Sequence, residues 1–112
     1  MTSIKIYKTI GDRIVIRIQG HSGYDVIGKD IVCAGVSALY CTAVDVFEAL
    51  QKGGKLSYTS EQRDGFRKLT VQPAEQCRST VMFAIAIFAA GFRRIGAMYP
   101  DNVRVNMSDI PL

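Results

Sequence analysis

The sequence predicts an α+β fold: a two-layer sandwich in which two main helices lie on a mostly antiparallel sheet, in the order ββαββαβ. Three observations lead there. Short segments alternate apolar and polar residues with period two, as half-buried strands do. Two longer segments carry apolar residues at helical spacing. The strands come in pairs with helices between the pairs, which disfavours alternating parallel α/β units.

Residues 3 to 8 (SIKIYK) and 13 to 19 (RIVIRIQ) place Ile4 and Ile6, then Ile14, Ile16 and Ile18, on buried faces. The intervening TIGD offers Gly11 and Asp12 for a tight turn, so the two segments form a hairpin. A loop from Ser22 to Lys29 follows, with Gly23 and Gly28 near its ends, and is expected to be mobile. Asp30 stands as N-cap before a helix over 31–52 that stops at Gly53 and Gly54. Val32, Val36, Leu39, Ala43, Val46 and Leu50 form its apolar stripe.

KLSYTSE and FRKLTVQ, separated by the turn signal RDG, read as a second hairpin. Pro73 closes it and opens a helix over about 75–90, apolar nearly all round from Val81 to Phe92. Gly91 is expected to interrupt that helix, a short helical turn continues to Pro100, and VRVNM supplies the last strand.

At 112 residues, 48% hydrophobic and 21% charged, the chain fits a single domain over 1–112 with one core. The N-terminal MTSIKIYKTIGDR lacks the apolar run of a secretory signal, which points to the cytoplasm. The most hydrophobic run, residues 81 to 92, falls short of the roughly 20 apolar residues that span a bilayer, so no membrane is expected. Three cysteines, at 33, 41 and 77, contain no CxxC pair, so neither a disulfide framework nor a metal site is indicated, and no cofactor is implied. A net charge of +4, scattered except at Arg93 and Arg94, is only a weak signal for nucleic-acid binding, and solvated side chains on strand and helix faces are the expected reading.

The chemistry-bearing stretch is GHSGYDVIGKDIVCAGVSALYC, residues 20 to 41, which holds the only histidine of the chain, His21, and Cys33. Behind the Asp30 cap, Cys33 falls in the first helical turn, where free amides and the positive end of the helix dipole favour an anionic sulfur. The Asp30 carboxylate opposes this, and a protonated His21 would more than offset it. Amides around Cys33 and Ala34 are then expected to hold an oxyanion. The plainer reading is a buried thiol acting as a small hydrophobe and a histidine at a turn. Ser37, one turn after Cys33, either assists the site or bonds back to its own helix. Asp30 caps the helix, orients His21, or does both.

GH, a glycine-containing loop and then DIVCAGVSAL resembles the family of bacterial ribosomal-processing cysteine proteases known as Prp, on Gly20, His21, Asp30, Cys33, Ala34 and Ser37. GFRRI after the second helix and the pair Tyr99 and Pro100 before the last strand extend the likeness over nearly the whole chain. The resemblance implies a catalytic dyad of Cys33 and His21, a homodimer, and a substrate that is the N-terminal extension of a large-subunit ribosomal protein. Two departures stand out, Ser22 where Ala is common and Gly35 where Ala or Val is common. Neither is expected to touch the dyad, although Gly35 would loosen the turn that presents Cys33.

The rival reading is a noncatalytic module that binds ribosomal RNA or protein and uses Cys33 only for packing. A redox pair with Cys41 is disfavoured, because two helical turns separate the thiols by roughly 12 Å.

Overall fold

The computed structural model describes residues 1–108. Strands β1 (Thr2–Lys8) and β2 (Ile14–Gln19) form the first hairpin, and α1 (Ile31–Lys52) follows the loop. Next come β3 (Leu56–Arg63), β4 (Phe66–Pro73), a 3-10 turn (Glu75–Cys77), α2 (Arg78–Met98) and β5 (Val103–Ser108). The expected order ββαββαβ holds.

The strands assemble into one sheet in the order β3-β4-β2-β1-β5, antiparallel except for the parallel pair β1 and β5. Period-two alternation sends Ile4, Ile6, Ile14, Ile16, Ile18, Leu69 and Val71 to the face that both helices cover. On the opposite face the register sets Lys5 beside Arg17 and Arg17 beside Lys68. The first hairpin closes on Asp12, whose φ of 64° gives the left-handed step, and Lys8 bonds its carboxylate at 2.8 Å.

The buried stripe of α1 differs from the one expected. Val32, Val36, Tyr40, Ala43 and Phe47 are buried, whereas Leu39, Val46 and Leu50 are only partly so. Helical spacing admits either set, and contact with the sheet selects the one bearing the larger rings. Leu39 instead leans toward α2, and Phe47 meets Phe88 of α2 edge-on at 5.9 Å.

Gly91 does not break α2, which runs unbroken from Arg78 to Met98. A Cβ at Gly91 would come within 3.0 Å of Leu39 Cδ1, so the glycine makes room for the Leu39 side chain between the two helices. A mid-helix glycine costs about 1 kcal/mol relative to alanine, an amount that close packing readily offsets. At this length both helices are apolar and long enough to cross a bilayer, yet each turns a stripe of buried residues onto the sheet. Expecting only a short apolar run underestimated α2.

Candidate active site

Strand β2 ends on Gly20, whose φ of 92° turns the chain out of the sheet. Its N–H bonds the carbonyl of Gly65 at 2.8 Å, and a Cβ there would run into the Met1 carbonyl oxygen, so only glycine fits. His21 follows, and its own carbonyl accepts from the Met1 nitrogen at 2.7 Å. The imidazole is 55% exposed and its Nε2 lies 3.7 Å from Asp64 Oδ1. Asp64 and Gly65 form the turn between β3 and β4. Gly65 takes a φ of 68°, the left-handed step the turn requires, and a Cβ there would only touch His21 Nε2 at 3.4 Å, so the turn lies against the imidazole.

Asp30 is the N-cap of α1, as expected. Oδ1 accepts from the N–H of Val32 at 3.0 Å and of Cys33 at 2.9 Å. Oδ2 accepts the Ser22 hydroxyl at 2.5 Å and the N–H of Tyr24 and Asp25 at 3.1 and 3.3 Å. Burial pushes this carboxyl upward, but the bonds from Ser22, Cys33, Asp25 and Tyr24 outweigh it and hold Asp30 well below the usual carboxylate range. Both oxygens are thus engaged away from His21: Asp30 caps the helix and ties down the loop, and among the described residues it makes no bond to the imidazole.

The cap overturns the expected oxyanion site. The Cys33 N–H is taken by Asp30 Oδ1, and the Ala34 N–H bonds the Asp30 carbonyl at 3.0 Å as the first rung of the helix. An N-cap carboxylate and an oxyanion would compete for the same Cys33 donor, and the carboxylate holds it.

Ser22 was expected not to touch the dyad, and the structure shows otherwise. Its N–H points at Cys33 Sγ at 3.4 Å, and the Cys33 thiol donates to its Oγ at 3.3 Å. Asn102 fixes the Ser22 carbonyl from the far side at 3.0 Å. Gly35 faces α2, where a Cβ would lie 3.5 Å from Ile95 Cδ1.

The first half of the loop is pinned. Tyr24 packs edge-on against Tyr99 at 5.3 Å, while Val26 and Ile27 are exposed. A pocket of about 780 Å³ opens between this loop, the start of α1 and the β3–β4 turn. His21 and Cys33 both line it, with Gly20, Asp30, Ala34 and Ser37. All six residues anticipated from the sequence therefore share one cavity. The Ser37 hydroxyl makes no hydrogen bond among the described residues, and no bond joins His21 to Cys33. Ile18, Ile27, Val36 and Phe66 give the wall apolar stretches suited to peptide side chains. Among the described residues no cluster of His, Cys, Asp and Glu is arranged to hold a metal ion.

The family model of cysteine protease Prp matches residues 1–104. The chain belongs to the cysteine protease Prp family. Two Staphylococcus aureus structures of an essential ribosomal processing protease Prp share its fold over 96% of this chain and 100% of theirs. The one with a covalently linked product peptide superposes with a TM-score of 0.76 at 20% identity, and the one with a substrate peptide with 0.71 at 19%. SMU.848 from Streptococcus mutans follows at 0.67 and 22% identity, over 96% of this chain and 93% of the other. No curated protein sequence matches the chain. As a Prp-family member it is a cysteine protease, and the likeness to these structures bears out the α+β fold.

Sequence reasoning missed Ser22 as a partner of the thiol and Asp64 and Gly65 as neighbours of His21. For Ser22 the sequence offered only its place next to His21 at the strand exit; the contact with Cys33 is a tertiary one. For Asp64 there was none beyond the turn signal RDG.

Proposed function

We propose that this chain is a cytoplasmic endopeptidase that removes the N-terminal extension of a large-subunit ribosomal protein, with Cys33 as nucleophile and His21 as general base. The observation that carries the reading is the convergence of the family match with one pocket lined by both the chain's only histidine and a first-turn cysteine. Its support for the substrate is that the Staphylococcus aureus relatives are ribosomal processing proteases.

His21 takes the thiol proton, and the thiolate attacks the scissile carbonyl to form a tetrahedral adduct. Collapse breaks the C–N bond as His21 returns the proton to the leaving amine. Water, deprotonated by His21, then hydrolyses the thioester and frees the new carboxyl terminus. With the Cys33 and Ala34 N–H groups engaged by Asp30, these two amides do not serve the oxyanion in this arrangement.

Incubation with a peptide copying such an extension tests the proposal. Wild-type protein cleaves it and Cys33→Ala does not; full cleavage by Cys33→Ala would end the protease role of Cys33. A second reading, contact with RNA, has one observation in its favour. Lys5, Arg17 and Lys68 stand side by side across three strands on the face away from the helices, and like charges in that register repel. A phosphate backbone would relieve the repulsion, and binding by this face would weaken steeply with salt and survive Cys33→Ala.

A further inference from the structure

We propose that Ser22 is a positioning residue that holds the Cys33 side chain in a resting orientation, as a protonated thiol hydrogen-bonded to Ser22 rather than to His21. The inference rests on Cys33 being the nucleophile of this protease.

Ser22 is 1% exposed and sits between two groups of opposite demand. On one side is Asp30, a carboxylate toward which five donors point: the Ser22 hydroxyl and the N–H groups of Tyr24, Asp25, Val32 and Cys33. An ionised carboxylate only accepts hydrogen bonds, and a hydroxyl has a single proton to give. At 2.5 Å from Asp30 Oδ2, Ser22 gives that proton to the carboxylate. The Oγ therefore turns a lone pair toward Cys33, 3.3 Å away, and the bond between them needs the proton of the thiol. A thiolate would face that lone pair with its own charge.

The Ser22 N–H, 3.4 Å from the sulfur, is compatible with either state. The hydroxyl, with its polarity set by Asp30, discriminates between them. Activation then consists of giving up the bond to the Ser22 hydroxyl and transferring the thiol proton to the imidazole. No atom outside the site is required.

Ser22→Ala removes the hydroxyl and keeps the N–H. The other charged groups lining the pocket are His21 at the end of β2, Asp25 and Asp30 in the loop and cap, and Arg63, Asp64 and Arg67 on the second hairpin. The substitution deletes none of them. The expected result is alkylation of Cys33 by iodoacetamide about fivefold faster at neutral pH. Cys41 and Cys77 are replaced by alanine in both proteins so that only Cys33 reacts. In parallel, the infrared spectrum of that parent minus its Cys33→Ala variant isolates the S–H stretch of Cys33. At neutral pH the band is present, and in Ser22→Ala it moves to higher frequency as the hydrogen bond is lost.

Alkylation that is unchanged or slower in Ser22→Ala would overturn the proposal. So would absence of the S–H band from the parent at neutral pH, which decides the matter even where Ser22→Ala does not fold. Neither readout depends on cleavage, so a failure of Ser22 to control the thiol is distinguishable from a failure of Cys33 to act as nucleophile.

Discussion

His21 Nε2 lies 3.7 Å from Oδ1 of Asp64, a residue on the turn of the second hairpin and remote from it in sequence. The pair is an ion pair only when the imidazole carries its second proton, which is the state that follows proton transfer from the cysteine. Asp64 is 99% exposed, so water and salt screen it. Asp64→Ala is therefore expected to lower kcat/KM by less than about fivefold at low ionic strength, with the gap closing as salt is added. A loss of two orders of magnitude, or one indifferent to salt, would mean that Asp64 does more than stabilise a charge.

Cys33 and His21 are expected to behave as one unit. Cys33→Ala, His21→Ala and the double variant should lose cleavage to the same residual level, because neither group has a task without the other. Cys33→Ser should be nearly inactive, since a hydroxyl is much less acidic than a thiol. Cys41 and Cys77 do not line the pocket, and their alanine variants should cleave normally. Single-turnover rates for the set provide the measurement.

The loop is expected to be mobile in one half only. Tyr24 and Asp25 give their N–H groups to Asp30, and Tyr24 stacks edge-on against Tyr99, whereas Val26 and Ile27 are exposed. Amide exchange should be slow at Tyr24 and Asp25 and fast at Ile27 and Gly28. Uniformly slow exchange across Ser22 to Lys29 would remove any opening role for the segment.

Asp30 should impart a defined pH dependence to stability. A carboxyl whose pKa is lowered by folding stabilises the native state at pH values above its unfolded value of about 4, and the contribution is lost as pH falls through the lower folded value. Asp30→Ala is thus less stable than wild type at neutral pH, and the difference narrows on acidification below about 4. Urea midpoints across that range test the sign; a gap that widens in acid would contradict it.

The outward face of α2 is the expected dimer surface. Phe83 and Ile87, one helical turn apart, are 70% and 56% exposed. Replacing both with glutamate should convert a dimer into a monomer in sedimentation equilibrium while leaving the fold intact, because neither residue belongs to the core. A wild-type protein that sediments as a monomer at tens of micromolar, roughly the working range for weak dimers, would rule this surface out.

The strands of the first hairpin, the Asp30 cap, the limits of α1 and the candidate pair His21 and Cys33 were all legible in the chain itself. Each depends on residues a few positions apart, where alternation, helical spacing and a capping side chain act locally. The tertiary structure decided what those signals leave degenerate. Tyr40 and Phe47, rather than Leu39 and Val46, face the sheet, and Gly91 passes Leu39 instead of ending a helix. It also decided the chemistry of the pocket: Asp30 spends both oxygens on Ser22 and backbone amides, its hold on the Cys33 N–H removes the expected oxyanion donor, and Asp64 reaches His21 from another hairpin. Such contacts join segments that only the register of the sheet and the packing of α1 bring together, and no local periodicity records them.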